Sequence, residues 1–111
     1  MDRELWRWVV GYEGLYLVSS HGKIMSVPHA YKDGLIMKPR ESSNGYMFVN
    51  LFKDGSYKRM SIHRVVAQAF IPNPEHKEQV NHLDGNKTNN NVSNLEWATC
   101  SENMQHKIYR S

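Results

Sequence analysis

The sequence predicts an α+β fold: small antiparallel β-hairpins, then one helix, then a further hairpin followed by a second helix. Short apolar runs separated by turn-forming residues recur before residue 62. Apolar residues then repeat at helical spacing in residues 61–71, and two more strand-like runs follow in residues 79–83 and 95–99. A chain of 111 residues has the length of one domain, so we expect one compact unit.

The first hairpin is predicted from two runs, residues 15–19 and 23–27, joined across residues 20–22. Trp6 and Trp8 precede it, and we expect both rings to build a small core, because tryptophan buries a large apolar area. Residues 35–40 read as a further strand, and residues 41–45 carry a strong turn signal.

The clearest hairpin pairs residues 46–52 with residues 56–62 and is closed by residues 53–55, which contain Asp-Gly. Basic side chains are expected on one face of this ribbon and on the strand before it: Lys38, Arg40, Lys53, Lys58 and Arg59. Such a ribbon can enter a DNA groove or track phosphates. The alternative for each single lysine is a solvated strand face.

One apolar stripe predicts a helix in residues 61–71, ended by Pro72 and Pro74. The stripe consists of Ile62, Val65, Val66, Ala69 and Phe70. His63 and Arg64 lie at the first turn beside it. His63 is either a structural hydrogen bonder or a residue that contacts DNA or shapes an active site, whereas Arg64 suits a phosphate contact because guanidinium binds in bidentate fashion.

The segment from residue 80 to residue 106 organises the rest of the chain. Its two strands flank residues 84–91, where asparagine, aspartate and glycine favour turns. Ser101 is a suitable N-cap for a helix continuing through Tyr109. The hairpin therefore carries His82 on its first strand, and the following helix carries Asn103.

The phrase NHLDGNKTNNNVSNLEWAT, followed by SENMQH, resembles the HNH endonucleases of the ββα-metal fold, in their phage and intron-encoded homing branch. IHRVVAQAFIPNP just upstream is also typical of that branch. The opening WRWVVGYEGLYLVSSHGKIMSV resembles the small NUMOD-type module that commonly precedes these nuclease domains. The resemblance covers nearly all of the chain and implies a β-rich DNA-contacting module in residues 1–60 and an HNH nuclease motif in residues 61–111.

The resemblance implies a role for each motif residue. His82 matches the general base, Asn94 matches the asparagine that holds the histidine-bearing loop, and Asn103 matches the helix residue that binds a single divalent metal. Asn81 stands where better-known members have an aspartate ligand, so we expect Asn81 to bind the metal more weakly, with DNA phosphate supplying negative charge. The metal is expected to be Mg²⁺, or alternatively Mn²⁺. Asp84 is an alternative ligand, although an aspartate before glycine more often serves backbone conformation.

Further residues of the motif are assigned by charge and by turn chemistry. Lys87, Lys107 and Arg110 flank the motif and are expected to contact phosphate. His106 lies one turn after Asn103 and is expected either to contact phosphate or the metal, or to be solvent-exposed. The asparagines at positions 86, 89 and 90 are assigned to turn geometry.

The amino-acid composition limits the classes of function that this protein can have. The net charge of +3 and the pI of about 9.1 favour a polyanionic partner without demanding one. Cys100 is the only cysteine, which excludes an internal disulfide and a four-cysteine zinc site. No apolar run is long enough for a membrane span and no signal peptide is evident, so we expect a cytoplasmic protein, in the host cytoplasm if phage-encoded.

The sequence thus predicts a metal-dependent endonuclease that nicks or cuts double-stranded DNA. The alternative is a catalytically weak DNA-binding module that keeps the HNH fold. A structural zinc domain is disfavoured, because its ligands would be one or two histidines and amides. The oligomeric state is left open, with a homodimer as one arrangement.

Overall fold

A computed structural model describes residues 3–27 and 34–102, and in it three small antiparallel sheets pack around the helix α1 (Ile62–Phe70). The α+β fold class predicted from the sequence is confirmed. One face of α1 is buried against strands from all three sheets, and this shared contact joins the sheets into one core.

The first sheet contains four strands in chain order: β1 (Trp6–Trp8), β2 (Tyr16–Ser19), β3 (Ile24–Ser26) and β4 (Leu35–Ile36). The predicted hairpin across residues 20–22 joins β2 to β3. The expected tryptophan core is wrong for Trp8, which is 44% exposed, while Trp6 is half-buried. Edge strand β1 directs Trp8 outward, and smaller residues such as Val9 and Val18 fill the core instead.

The second sheet contains β5 (Arg40–Glu41), β6 (Met47–Lys53) and β7 (Ser56–Ser61). The prediction of one strand over residues 35–40 is wrong, because residues 35–36 pair in the first sheet and residue 40 pairs in the second. Pro39 lies between the two pieces, and proline cannot donate a ladder hydrogen bond.

The predicted β6–β7 hairpin is present and turns at Asp54 and Gly55, which have φ values of 53° and 81°. Two consecutive positive φ values are typical of a type I′ turn, for which Asp-Gly is a favoured pair.

The basic residues of this sheet do not share one face, so that prediction is wrong. The register places Lys53 and Lys58 on the same side as buried Leu51, whereas Arg40 and Arg59 lie on the opposite, outer side. The reason is the two-residue period of a strand, which sends neighbouring side chains to opposite faces.

Helix α1 follows β7 directly and ends where the sequence predicts. The backbone N–H of Ile71 donates to Ala67 O, after which Pro72 prevents continuation. Three predicted stripe residues, Ile62, Val65 and Val66, are almost fully buried. None of the described helical segments is long and apolar enough to cross a membrane.

The third sheet pairs β8 (Gln79–His82) with β9 (Leu95–Ala98), with a 3-10 turn at Val92–Asn94 just before β9. Residues 100–102 are helical. The predicted N-cap Ser101 is wrong, because Thr99 caps this helix: Glu102 N donates to Thr99 Oγ1 at 3.1 Å, and Thr99 N donates to Glu102 Oε1 at 2.8 Å. This reciprocal pair is a capping box. The rest of the predicted helix lies outside the described residues.

Replacing Leu51 by alanine should lower the free energy of unfolding by about 2–5 kcal/mol, because a fully buried leucine leaves a cavity. The matched control is Phe52→Ala, one residue along β6, where the ring is 58% exposed and the loss should stay below about 1 kcal/mol. Urea unfolding measures both changes. Equal losses would contradict the assignment of inner and outer faces.

Candidate active site

Three aromatic rings meet where the second sheet, α1 and the third sheet converge. His63 comes from the first turn of α1, His82 ends β8, and Tyr46 precedes β6. The His63 ring centroid lies 5.0 Å from those of both Tyr46 and His82, and Tyr46 lies 5.9 Å from His82. Both histidines are 8% exposed, so the His82 ring is held in place by packing as well as by its strand.

Asn90 fixes the His82 ring from the other side. Its Oδ1 lies 2.8 Å from His82 Nε2, and Asn90 is itself 7% exposed. A carbonyl oxygen can only accept a hydrogen bond, so this contact places a proton on Nε2 and, in the neutral ring, the lone pair on Nδ1. The contact thus favours one tautomer of the neutral His82 ring.

The loop between β8 and β9 is held closed by Asn94, which is 8% exposed. Its Oδ1 accepts from Asp84 N at 3.0 Å, and its Nδ2 donates to Asp84 Oδ1 and to Asn89 O, both at 2.9 Å. One amide thus joins the beginning and the end of the loop that follows His82. These contacts hold the loop closed, and the role of Asn94 in catalysis stays a prediction.

Asp84 is occupied by the same loop. Besides the contact with Asn94, its Oδ1 accepts from Asn86 N at 2.7 Å and its Oδ2 accepts from Asn89 Nδ2 at 2.9 Å. These hydrogen bonds, led by that of Asn89, lower the pKa of Asp84 to about 2. Asp84 therefore acts in loop conformation, which was the more frequent of the two roles considered for it.

His63 is the second titratable group of the cluster, and its Nδ1 is buried without a hydrogen-bond partner among the described residues. Burial, with smaller contributions from His82 and Arg64, lowers the pKa of His63 from 6.5 to about 4. His63 is consequently a neutral ring at neutral pH that packs against His82. The His63 ring thus packs within the cluster, and its role in an active site stays a prediction.

Asn81 faces the opposite side of β8 from His82, as alternation along a strand requires. It is paired with Glu96 of β9, and Asn81 Nδ2 lies 3.5 Å from Glu96 Oε1. An amide oxygen and a carboxylate side by side are the donors that a hard divalent cation takes. Within residues 3–27 and 34–102, no group of three or more histidine, cysteine, aspartate or glutamate side chains could hold a metal. The donor types thus fit Mg²⁺ or Mn²⁺, with further ligands required.

Several predicted phosphate contacts are engaged with the protein itself. Lys53 Nζ donates to Gly11 O at 2.7 Å, and Arg64 Nη1 donates to Glu78 O at 2.8 Å. Lys87 Nζ donates to Asn44 O at 2.8 Å and lies 4.7 Å from the Tyr46 ring centroid. Of these three, only Lys87 lies against the ring cluster.

The other described lysines and arginines that were predicted to contact DNA are exposed: Lys38, Arg40, Lys58 and Arg59. The Arg59 guanidinium lies 3.6 Å from the ring centroid of Phe48 on the outer face of the second sheet. A polar cavity of about 320 Å³ extends there, lined by Tyr46, Phe48, Arg59 and neighbouring serines. Tyr46, one ring of the cluster, is part of the cavity lining.

Four predicted site residues lie outside the described residues: Asn103, His106, Lys107 and Arg110. Their predicted roles therefore stay predictions.

Sequence reasoning missed Tyr46 and misassigned Asn90, whose side chain contacts His82 instead of closing a turn. Asn86 does behave as assigned, because its Oδ1 accepts from both Thr88 N and Thr88 Oγ1. The burial of Asn90 could not be inferred from a run of identical residues. Glu96 could have been found from the hairpin register, which places it opposite Asn81.

Comparison with known proteins identifies two regions. The sequence model of the HNH endonucleases matches residues 61–105, and that of the NUMOD4 motif matches residues 4–52. The first region contains the ring-bearing helix α1 and the β8–β9 hairpin, and the second contains the first sheet and most of β6.

Relatives and a solved structure match the chain over most of its length. The DNA endonuclease I-HmuI of Bacillus phage SP01 is 38% identical over 105 residues, which cover 95% of this chain and 58% of I-HmuI. An HNH endonuclease of Acanthamoeba polyphaga mimivirus is 40% identical over 93 residues, 84% of this chain and 27% of the relative. A structure described as DNA binding and cleavage by the HNH homing endonuclease I-HmuI superposes with a TM-score of 0.86 at 38% identity, covering 96% of this chain and 59% of that one.

The chain is thus similar to the HNH endonucleases, whose sequence model matches its residues 61–105. Among them it is similar to phage HNH homing endonucleases, and a NUMOD4 motif precedes the HNH region. It spans only about a quarter to three fifths of the length of these curated relatives.

Replacing His63 by phenylalanine should flatten the dependence of stability on pH. Because the folded-state pKa is lowered to about 4 from 6.5, the unfolded chain binds a proton that the folded chain does not between these values. The stabilisation is complete above pH 6.5 and is lost as pH falls towards 4, with a slope of at most about 1.4 kcal/mol per pH unit.

Urea unfolding at a series of pH values measures this slope. The matched control is His76→Asn, which removes an exposed histidine at a φ of 52°, where asparagine is tolerated. A slope that survives in the phenylalanine variant would contradict the buried neutral state of His63.

Proposed function

We propose that this chain is a metal-dependent DNA endonuclease that hydrolyses phosphodiester bonds in double-stranded DNA, with His82 as general base. The observation that carries the proposal is the contact of Asn90 Oδ1 with His82 Nε2 at 2.8 Å, which leaves Nδ1 ready to accept a proton. The similarity to I-HmuI supports it, since that relative is named a DNA endonuclease.

The reaction is an in-line displacement at phosphorus. His82 Nδ1 takes a proton from water as the water oxygen forms its bond to phosphorus, and the bond from phosphorus to the 3′ oxygen breaks. Packing of the neutral His63 and Tyr46 rings against His82 restricts the motion of the base. Asn94 contributes by holding the loop and does not touch the reacting atoms.

Asn81 and Asn103 are the proposed metal ligands, and the carboxylate of Glu96 adjoins the first of them. A bound Mg²⁺ or Mn²⁺ would neutralise charge on the scissile phosphate and stabilise the departing oxygen. Two amide ligands carry no charge, so binding of the metal should depend strongly on the DNA phosphate.

The proposed DNA path runs from His82 past Lys87 and along the outer face of the second sheet. Lys87 Nζ uses one hydrogen bond on Asn44 O and retains donors for a phosphate oxygen. Arg59 and Arg40 share the outer face, where the polar cavity beside Tyr46 leaves room for backbone. Further proposed contacts are Lys38, Lys58 and three residues beyond the described part of the chain: His106, Lys107 and Arg110. Lys53 and Arg64 instead donate hydrogen bonds to backbone carbonyl oxygens of the protein.

A second candidate function is a DNA-binding module with weak or no cleavage. The observation that favours it is the uncharged Asn81 at the ligand position. The two functions differ in whether the chain nicks DNA at high metal concentration.

His82→Ala should lower the rate of supercoiled plasmid nicking in Mg²⁺ or Mn²⁺ by about a hundredfold or more, because a positioned base contributes rate of that order. Affinity for the plasmid should stay within about twofold, since no phosphate contact is removed. The control His76→Asn should nick as the parent does. Nicking by the alanine variant at the parental rate would exclude His82 as the base, and binding without nicking by the parent would favour the module.

Asn81→Asp should raise the affinity of the free protein for Mn²⁺ by about tenfold, because a carboxylate adds charge at the ligand position. Calorimetric titration without DNA measures the dissociation constant. The control Gln79→Glu adds the same charge two residues away on the same face of β8 and should change the affinity far less. Equal gains from both variants would indicate general electrostatics instead of ligation.

A further inference from the structure

We propose that the turn at residues 20–22, in the NUMOD4 region, is a positioning element for the active site, and that Gly22 is its key residue. The inference rests on the proposed role of His82 and adds a residue far from it in sequence. In this arrangement the turn of the first sheet lies against the backbone of Asn90. It thereby keeps Asn90 Oδ1 within hydrogen-bond distance of His82 Nε2.

The first observation is a close approach that only glycine permits. A Cβ on Gly22 would lie 2.9 Å from both Cβ and O of Asn90 and 3.2 Å from its carbonyl carbon. Two of these three atoms belong to the Asn90 backbone, so rotation of a side chain cannot relieve the overlap. Any larger residue at position 22 must therefore displace Asn90 or the turn.

The second observation is a tether beside this contact. Val92 N donates to Ser20 O at 2.8 Å, which fixes the loop two residues after Asn90 to the same turn. The close approach at Gly22 and the hydrogen bond to Ser20 O together hold the loop at Asn90 against this turn.

The third observation is that the turn itself is rigid. Gly22 N donates to Ser19 O at 3.0 Å, and Ser20 N donates to Leu5 O at 2.8 Å. Ser19 Oγ accepts from His21 N and Lys23 N, at 3.2 and 3.1 Å. Ser19 is fully buried, so the turn cannot yield easily and displacement falls on Asn90.

The consequence is a direct link between the first sheet and the base. His82 Nε2 and Asn90 Oδ1 are 2.8 Å apart, and hydrogen bonds weaken steeply with added distance and misalignment. If Asn90 were displaced, the His82 ring would lose its preference for a proton on Nε2. The orientation of the ring would no longer be fixed. Cleavage would fall while DNA contacts elsewhere remained.

The test compares Gly22→Ala with Gly14→Ala. Both glycines have positive φ, +89° and +84°, so alanine brings the same backbone strain, but a Cβ on Gly14 meets nothing within 4 Å. We expect Gly22→Ala to lower the single-turnover nicking rate about tenfold to a hundredfold relative to Gly14→Ala, with an unchanged dissociation constant for DNA. The ¹⁵N resonances of the His82 ring, recorded without metal or DNA, report which nitrogen carries the proton. Of these two variants, only Gly22→Ala should lose the Nε2–H tautomer.

A double-mutant cycle tests whether Gly22 acts through Asn90. Asn90→Ala should show the same loss of rate and of tautomer, and Gly22→Ala combined with Asn90→Ala should nick no more slowly than Asn90→Ala alone. If the rate losses of the two single variants multiply in the double variant, the proposal is overturned. It is also overturned if Gly22→Ala has the same nicking rate and the same His82 tautomer as Gly14→Ala.

If Gly22→Ala fails to fold, the variant Val92→Pro tests the proposal in its place. Proline removes the donor to Ser20 O at the first position of a 3-10 turn, and Asn91 before it already has extended backbone. A slower rate with unchanged DNA affinity is expected, and the parental rate would overturn the proposal. A parent chain that does not nick DNA would contradict the proposed function only, because the tautomer comparison still tests the positioning.

Discussion

The structure of the site depends on one hydrogen bond, between His82 Nε2 and Asn90 Oδ1. A hydrogen bond of this kind contributes only about 1 kcal/mol to stability, so its importance lies in direction and tautomer. In the neutral ring it decides which nitrogen carries the proton. Two neutral rings, His63 and Tyr46, complete the restraint by packing against the imidazole. In the proposed function this restraint orients His82 as the base.

Each sheet around α1 supplies one part of this restraint. The third sheet carries His82, and Asn94 closes the loop that returns Asn90 to it. Tyr46 lies directly before β6 of the second sheet, and the first sheet approaches the loop closely at Gly22. The region matched by the NUMOD4 motif is therefore packed against the loop between β8 and β9, and it adjoins the region matched by the HNH model in space as well as in sequence.

Local sequence patterns were enough to predict most of the secondary-structure elements and to recognise the HNH-like motif. Two strand-like runs closed by Asp-Gly predicted the β6–β7 hairpin, and helical spacing with a following proline predicted α1. Trp8 was misplaced because apolar character does not say which side of an edge strand faces the core. Asn90 was misassigned because a run of asparagines has one local chemistry, and only the path of the loop decides which member is buried. Thr99 was overlooked in favour of Ser101, although its spacing to Glu102 is that of a capping box.

Chemical rescue tests most directly whether an imidazole at position 82 is the base. His82→Gly removes the ring from a site that is 8% exposed and leaves a space that free imidazole can fill. Nicking by this variant should be restored by added imidazole, with a rate that rises with the concentration of the neutral form as pH is raised. No rescue in a folded variant that still binds DNA, or rescue that is independent of the neutral fraction, would contradict the account.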